Sequence, residues 1–417
     1  MGHGDVQQDA GGRSPRGRRG SRVLGWAAAV VAAVLVAGTL SAYAVYRDLF
    51  GKIRQVKVTD LGHRPSGYNH SLNILVIGSD TRKGRNSRFG AHIGGQRSDT
   101  VLVLHLSPGF RRAVVMSIPR DSVVPVLACP QVPGSPGQAA QPGQIEQINA
   151  TFSNGGPGCL WKTIEQTTHI RLDHFMELNF TGFEHIINDL GGVRICLPFP
   201  INDPRSKLHL SRGLHHVMGA EALAYWRVRY IGVGSDLERI QRDQYLMAAV
   251  AQEAKHTNLL GDPARVLKLV SDIAGSLTTD SGLSQSKMIT LVQSLRHLPL
   301  GAVHFVQVPV VTYPPNPNWV QWSDQAATLF RAIAQDRKLP AVHKKKKRRS
   351  HRAQPANSSS SARSRSPSSG TRPGGPSASR SPSPSPLSGL TRHYGGITAG
   401  ANVCSDSSAF QGPLGGH

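Results

Sequence analysis

Apolar and polar positions divide the chain into stretches with different patterns. Residues 23–46 form one uncharged run rich in Ala, Val and Leu. Between residue 71 and about residue 340, short β-branched runs alternate with longer segments of helical periodicity. After residue 340 the composition changes to Ser, Pro, Arg and Gly, which is typical of segments that bury too little apolar surface to fold.

The apolar run predicts one N-terminal transmembrane helix. Its 24 residues, at about 1.5 Å each, can cross a hydrocarbon core of about 30 Å. Five Arg and two Asp precede it, and this excess of positive charge predicts a cytoplasmic N-terminus and an extracytoplasmic remainder. The alternative is a signal peptide cleaved near Ala42-Tyr43-Ala44, but the run exceeds the roughly 7–15 apolar residues of such a peptide.

The middle of the chain predicts one α/β domain. Compact apolar runs predict strands at 72–78, 100–106, 113–118, 174–178, 192–197 and 302–308. Helices are predicted at 157–168, 181–190, 218–228, 235–255, 262–276, 285–298 and 323–336, and an exposed loop at 125–144. This alternation predicts a central mixed β-sheet flanked by helices on both faces, in three layers. The predicted organisation is a cytoplasmic basic tail (1–22), a transmembrane helix (23–46), a membrane-proximal stalk (47–70), an extracytoplasmic domain (71–340) and a disordered basic tail (341–417). Within that tail, residues 396–410 regain some apolar character and are the expected exception to disorder.

The chain is strongly basic, with a formal net charge of +23. Residues 341–417 alone contain 4 Lys, 8 Arg and one Asp. Such a charge favours nucleic-acid binding in general, but a tail outside the membrane is not expected to meet nucleic acid. Anionic wall polymers or the lipid surface are the expected counter-charges, and a solvated linker without a specific partner is the alternative.

The cysteines are expected in an oxidising compartment, because the chain after the predicted span is expected to be extracytoplasmic. Cys129, Cys159 and Cys196 fall in the predicted domain, and Cys404 lies near the C-terminus. None has the spacing of a zinc site. One disulfide among the first three is expected, and the sequence leaves the pair open.

Three aspartates stand beside predicted strands. Asp80 and Asp121 each follow a strand directly, whereas Asp99 opens one and therefore needs an antiparallel partner to join them. Carboxylates grouped in this way suit Mg²⁺, which prefers oxygen ligands and binds phosphates. The alternative is that each aspartate only caps a turn.

Arginines accompany these carboxylates in short polar segments. They are Arg97, Arg120, Arg227, Arg229, Arg239 and Arg242. A planar guanidinium matches phosphate oxygens bidentately. Arg239 and Arg242 share a helix face at i, i+3, although a solvated face with Glu238 and Asp243 is the alternative. Together the two sets predict a site for phosphoryl transfer.

The order of these segments resembles the LytR–CpsA–Psr family. The resemblance is carried by Asn73-Ile74-Leu75-Val76-Ile77-Gly78-Ser79-Asp80, Arg97-Ser98-Asp99-Thr100, Pro119-Arg120-Asp121, Arg227-Val228-Arg229 and Asp236-Leu237-Glu238-Arg239-Ile240-Gln241-Arg242. It implies a membrane-anchored phosphotransferase that moves a glycopolymer from a polyprenyl-pyrophosphate carrier onto peptidoglycan, with Mg²⁺ as cofactor. Polyprenyl phosphate would be the leaving group, and pyrophosphatase activity a side reaction.

The resemblance also implies roles for individual residues. Asp80 and Asp99 would hold the metal, Arg120 and Asp121 would act in catalysis, and Asp121 would be the base. The pyrophosphate would be bound by Arg97, Arg120, Arg227, Arg229, Arg239 and Arg242. Residues 181–190 and 245–251 would line a lipid tunnel, although such helix faces are more often plain core.

Two departures from the family pattern keep other functions open. Asp243 stands where the family usually has Gln, and Glu238 where it tends to have Gly. Both place negative charge near a pyrophosphate site, so a non-catalytic lipid-binding or wall-polymer-binding anchor is the main alternative. A transcriptional regulator is a weaker one, because no helix-turn-helix pattern is visible.

Overall fold

A mixed β-sheet forms the centre of this computed structural model, which describes residues 2, 18–80, 98–130, 144–197, 199–228, 236–339 and 397–400. The helices are α1 (Arg18–Gly51), α2 (Ile148–Thr168), α3 (Phe180–Asp189), α4 (Gly219–Arg227), α5 (Asp236–His256), α6 (Pro263–Ala274), α7 (Gln285–Leu295) and α8 (Asp324–Ala334). The strands are β1 (Arg54–Val56), β2 (Leu72–Ser79), β3 (Ser98–Leu106), β4 (Ala113–Ile118), β5 (Val123–Pro125), β6 (Ile145–Gln147), β7 (His174–Asn179), β8 (Val193–Leu197), β9 (Ile201–Asp203), β10 (Leu208–Leu210), β11 (Gly213–Val217), β12 (Leu277–Asp280), β13 (Val303–Gln307), β14 (Val310–Tyr313), β15 (Asn316–Trp322) and β16 (Ile397–Thr398).

The sheet has the strand order β1-β12-β7-β2-β3-β4-β13-β16. In the centre, β3 is antiparallel to both of its neighbours, β2 and β4, while β7 is parallel to β2 and β13 is parallel to β4. The predicted mixed sheet is therefore confirmed. The four strands predicted from the runs at 72–78, 100–106, 113–118 and 174–178 form its middle.

Alternate residues of the sheet pack into separate cores on its two faces. Leu75, Ile77 and Met116 belong to a large buried cluster with side chains of α2 and α8. Ile74 and Ala113 point to the opposite face and pack with Leu291 of α7. Because neighbouring residues of a strand face opposite sides, this pattern produces the predicted three layers.

Helix α1 covers the residues of the predicted transmembrane span. In the described part of the chain, no helix is both long enough and apolar enough to pass through a membrane. The structure therefore does not confirm the predicted transmembrane helix.

The predicted stalk at 47–70 is built into the domain. β1 pairs in parallel with β12, and Ile53 is buried in a cluster with Leu277 and Met288. Further on, the Arg64 guanidinium donates to both carboxylate oxygens of Glu165 on α2, at 2.9 and 2.7 Å. This segment therefore departs from the predicted stalk because it carries a strand and an ion pair that the weak apolar pattern did not reveal.

Helix α2 begins earlier than predicted. The sequence places its start at Pro157, but the helix already begins at Ile148 and is interrupted at Gly156, which has a positive φ of 69°. Pro157 follows this kink and starts the second, straight part of the helix. The Pro signal therefore marks an interruption within the helix.

A disulfide joins the segment after β5 to α2. It links Cys129 and Cys159, which are 30 residues apart, so the expected disulfide is confirmed. A Cβ at Gly155 would lie 2.5 Å from the Cβ of Cys159, so this approach requires glycine. Cys196 is disulfide-bonded too, and Cys404 lies outside the described residues. Val126 and Cys129 are buried, which corrects the start of the loop predicted at 125–144.

A short piece of the predicted disordered tail forms part of the sheet. β16 pairs antiparallel with β13 at the edge, and Ala399 is fully buried against Ala248 and Phe305. Gln252 of α5 donates to the Ala399 carbonyl at 2.7 Å. The rest of residues 341–417 lies outside the described residues.

Candidate active site

The antiparallel pairing of the central strands brings the predicted aspartates to one end of the sheet. Ser79, before Asp80, pairs with Ser98, before Asp99. β4 runs antiparallel to β3, so the turn with Arg120 and Asp121 leaves the sheet at the same end. The antiparallel arrangement that Asp99 required is therefore present.

Arg120 joins two of these carboxylates. Its Nη1 donates to Asp99 Oδ1 at 2.8 Å, and its Nε lies 3.5 Å from Asp121 Oδ2. The side chains of Arg120, Asp99 and Asp121 are 20%, 24% and 22% exposed, so all three remain accessible to a ligand. Asp99 thus forms an ion pair with Arg120 in the turn after β4, and it does not serve only as a turn cap.

The Arg120-Asp121 turn is held by its own hydrogen bond and by hydrogen bonds from α2, β6 and β15. The turn closes with a hydrogen bond from Ser122 N to Pro119 O at 3.0 Å. The N-terminus of α2 binds it from one side, because Ile148 N donates to Ser122 O and Asn149 N to Arg120 O. The structure therefore gives the Ile148-Asn149 part of α2 a direct role at this turn.

Gln147 and Val320 complete this support. Gln147 Nε2 donates to Asp121 Oδ1 at 3.0 Å, and Val320 N donates to Asp121 O at 3.1 Å. With Arg120 Nε 3.5 Å from Oδ2, each carboxylate oxygen of Asp121 lies beside a nitrogen of a neighbouring side chain. No sequence pattern predicted a role for either residue, although Gln147 directly precedes the Ile148-Asn149 segment.

A small cleft opens beside this turn. It is lined by Asp99, Thr100, Val101, Leu102, Ser117, Ile118, Arg120, Arg239, Ile240 and Asp243. Two predicted arginines and one predicted carboxylate therefore share one concavity. Asp243, the departure from the family pattern, also faces this cleft, so its negative charge belongs to the site.

The other arginine of α5 points into the protein. Arg242 is 8% exposed, and its Nη2 donates to the carbonyl of Val228 directly after α4. Arg227, in the last turn of α4, lies over the ring of Phe180 at 5.3 Å from its centroid. Arg242 thus connects α4 to α5, and its predicted phosphate contact stays a prediction.

Burial shifts the pKa of two groups near these elements. Glu177 on β7 is hydrogen-bonded to Ser79, and burial raises the pKa of its carboxyl above the usual range despite that bond. Burial also raises the pKa of Tyr225 well above its ordinary value, against the opposing effect of the Arg242 charge. Burial therefore makes both groups harder to ionise than they are in water, and the Glu177 carboxyl holds Ser79, the residue before Asp80.

Helix faces predicted to line a lipid tunnel pack as core in part. Ile187 of α3 and Leu246 and Ala249 of α5 belong to one buried cluster, and Ala248 belongs to another. Val115 of β4, which packs beside Ala248 of α5, is only half-buried. A lipid-binding role for these faces stays a prediction.

The carboxylates at this end of the sheet can hold Mg²⁺ only if the substrate supplies further ligands. Within the described ranges, no group of three His, Cys, Asp or Glu side chains that could hold a metal ion comes together. Mg²⁺ commonly uses one or two carboxylates together with substrate phosphates and water. Asp80 and Asp99 at the end of the sheet fit that smaller requirement.

Two predicted site residues lie outside the described residues: Arg97 and Arg229. The backbone of Glu238 is helical, and its side chain is likewise outside the description. The structure therefore brings Asp99, Arg120, Asp121 and Arg239 together, with Asp80 at the same end of the sheet.

Fold and cleft together define an α/β protein with an arginine–carboxylate site at one end of a mixed sheet. The model of the LytR_cpsA_psr family matches residues 42–337. The chain belongs to this family.

Relatives and solved structures agree with this membership. The chain is 29% identical over 289 residues to "Probable cell wall biosynthesis protein LcpB" of Corynebacterium glutamicum, covering 68% of this chain and 64% of that relative. It therefore spans slightly less than two thirds of that protein. It is 23% identical over 281 residues to "Polyisoprenyl-teichoic acid--peptidoglycan teichoic acid transferase TagU" of Bacillus cereus, covering 64% and 83%. The solved "LytR-Csp2A-Psr enzyme from Actinomyces oris" has the same fold, with a TM-score of 0.52, 20% identity and coverage of 68% of this chain and 96% of that one.

Proposed function

We propose that this protein is a phosphotransferase that moves a glycopolymer from a polyprenyl-pyrophosphate carrier onto peptidoglycan. The observation that carries the proposal is the Asp99–Arg120–Asp121 arrangement beside the cleft. Family membership and the name of the TagU relative, a teichoic acid transferase, support it.

The proposed reaction forms one P–O bond and breaks another. An acceptor hydroxyl oxygen attacks the phosphorus next to the sugar, and the bridging P–O bond to the lipid-side phosphate breaks. Asp121 takes the hydroxyl proton, and polyprenyl phosphate leaves with the bridging oxygen. Gln147 and Val320 hold Asp121 for this role.

Arginines supply the positive charge that phosphoryl transfer requires. Arg120 and Arg239 line the cleft, where charge stabilisation in the transition state is worth most. We propose that the full pyrophosphate-binding set is Arg97, Arg120, Arg227, Arg229, Arg239 and Arg242, with Arg242 joining only after it leaves the carbonyl of Val228. Substrate oxygens would replace the Asp99 carboxylate as the partner of Arg120.

Mg²⁺ is the proposed cofactor, held by Asp80 and Asp99. When bound, it would neutralise charge on the pyrophosphate oxygens. Asp243 would add negative charge to the same cleft, which favours a cation beside the anionic substrate. With water in place of the acceptor, the same site would act as a pyrophosphatase.

We also propose that the domain works outside the cytoplasm at the cell membrane. The Cys129–Cys159 disulfide supports an oxidising compartment, and the proposed carrier lipid is a membrane component. Nucleic acid is not among the proposed partners.

The second candidate function is a non-catalytic lipid-binding or wall-polymer-binding anchor, which the carboxylate of Asp243 in the cleft favours.

Release of polyprenyl phosphate from a polyprenyl-pyrophosphoryl sugar tests the proposal, with the full chain in detergent and with or without Mg²⁺. Arg120→Lys keeps the positive charge but removes the guanidinium that contacts both Asp99 and Asp121. The rate of polyprenyl phosphate release should therefore fall by about 100-fold or more. Arg265→Lys is the matched control, because Arg265 is 56% exposed on α6 and distant in sequence from the site. If the wild type binds the polyprenyl-pyrophosphoryl sugar but releases no polyprenyl phosphate, the phosphotransferase proposal is refuted and the non-catalytic anchor is favoured.

A further inference from the structure

A pair of stacked aromatic rings lies on the hairpin that contacts the Arg120-Asp121 turn. Tyr313 and Trp319 lie on the β14–β15 hairpin, with ring centroids 6.2 Å apart and planes at 22°. Both side chains are half-buried. The two rings thus present a partly exposed aromatic surface.

The hairpin is continuous with the Arg120-Asp121 turn. Val320 N donates to Asp121 O, and Ser122 bridges to Val320. Val320 packs against the large core cluster, as does Trp322. Because side chains alternate along a strand, Trp319 points to the outer side of the strand that borders Asp121.

The hairpin also differs in charge from the rest of the chain. Residues 310–323 contain no Asp, Glu, Lys or Arg, although the chain has 48 Lys and Arg. Asn316 and Asn318 lie between the rings in sequence, and Asn316 Oδ1 accepts from Asn318 N at 3.1 Å. A surface of this kind suits a neutral ligand with both an apolar face and hydroxyl or amide groups, and it suits a phosphate or an anionic polymer poorly.

We propose that Tyr313 and Trp319 form a binding platform for the neutral amino-sugar glycan of the acceptor. The apolar C–H face of a pyranose packs on an aromatic ring, and Trp and Tyr provide large, rigid contact areas. A glycan seated there would lie on the hairpin whose Val320 N donates to the Asp121 carbonyl. The inference rests on the proposed function, because it assigns the acceptor side of the same site. The competing explanation is that the rings only stabilise the hairpin as a cross-strand pair.

Trp319→Ala and Trp319→Phe in the full chain test the platform. Two rates are measured: donor release into water, and transfer to soluble peptidoglycan glycan fragments. Trp319→Ala should raise the acceptor KM by about tenfold, the scale expected for one lost aromatic contact, while donor release into water stays within about twofold. Trp319→Phe should recover most of the acceptor affinity. Tyr68→Ala is the matched control, since Tyr68 is 52% exposed and precedes the opposite end of β2.

A binding measurement separates this inference from the proposed function. The chain has five tryptophans, so the indole N–H signal of Trp319 can be assigned in an NMR spectrum with the Phe variant. A soluble β-1,4-linked N-acetylglucosamine oligomer should shift that signal. An unmoved Trp319 signal, or an unchanged acceptor KM in Trp319→Ala, would overturn the platform. A wild type that releases no polyprenyl phosphate but still shows the shift would refute only the phosphotransferase.

Discussion

Replacing Cys129 and Cys159 together by alanine is expected to destabilise the domain substantially. The disulfide closes a loop of 30 residues, and the loss of unfolded-state entropy for that length corresponds to about 3.6 kcal/mol at 25 °C. Both cysteines are almost fully buried, at 6% and 4% exposure, so the missing sulfur atoms add a small packing cost. For a domain of this size, each kcal/mol lowers Tm by about 2–4 °C, which predicts a fall of about 7–14 °C.

Urea unfolding followed by circular dichroism measures this difference. The oxidised wild type is compared with the double variant, and both are repeated in reductant, where their midpoints should converge. Donor release well below the midpoint should be retained, because the disulfide acts mainly on the unfolded chain. A difference below about 0.5 kcal/mol between the oxidised wild type and the variant would refute the loop-entropy reasoning.

Two further predictions concern groups near the site and in the core. Gln147→Leu removes the donor to Asp121 Oδ1 and should lower kcat for glycan transfer by about tenfold with little change in donor KM; an unchanged kcat would exclude a positioning role. Burial lowers the pKa of His105, despite its hydrogen bond to Asp336, so the native state binds fewer protons than the unfolded chain below the ordinary His pKa of about 6.5. The free energy of unfolding should therefore fall as the pH drops through about 6.5, and His105→Gln should flatten that slope in urea titrations. Equal slopes in both proteins would contradict this.

The central sheet could be predicted because its strands are dense in β-branched residues and buried. Runs such as Val101–Val103 have no competing helical pattern, so their strand type follows from the sequence alone. The hairpin β14–β15 gave no such signal, because Pro314, Pro315 and Pro317 interrupt its apolar positions. β1 and β16 are only three and two residues long, and their pairing depends on partners far away in sequence.

The site was predictable where chemistry is local and unpredictable where it depends on packing. Asp99 and Arg120 meet because β3 and β4 are antiparallel neighbours, which their positions at strand ends already indicated. The i, i+3 spacing suggested that Arg239 and Arg242 act together, yet Arg242 turns inward to the carbonyl of Val228. Helix periodicity identifies a shared face, but the rotation of α5 against α4 decides which arginine reaches the cleft.

The two edges of the sheet have a consequence for how this protein behaves when many copies are crowded together. A long, flat, unpaired edge is a template on which strands of other molecules can add. Within the described residues, β1 and β16 are the edge strands of the sheet. Each has at most three residues with which a strand of another molecule could pair. Both edge strands are distant in sequence from the strands they cover, because β1 pairs with β12 and β16 pairs with β13. We therefore expect a partly folded chain, with β12 and β13 uncovered, to be the aggregation-prone species.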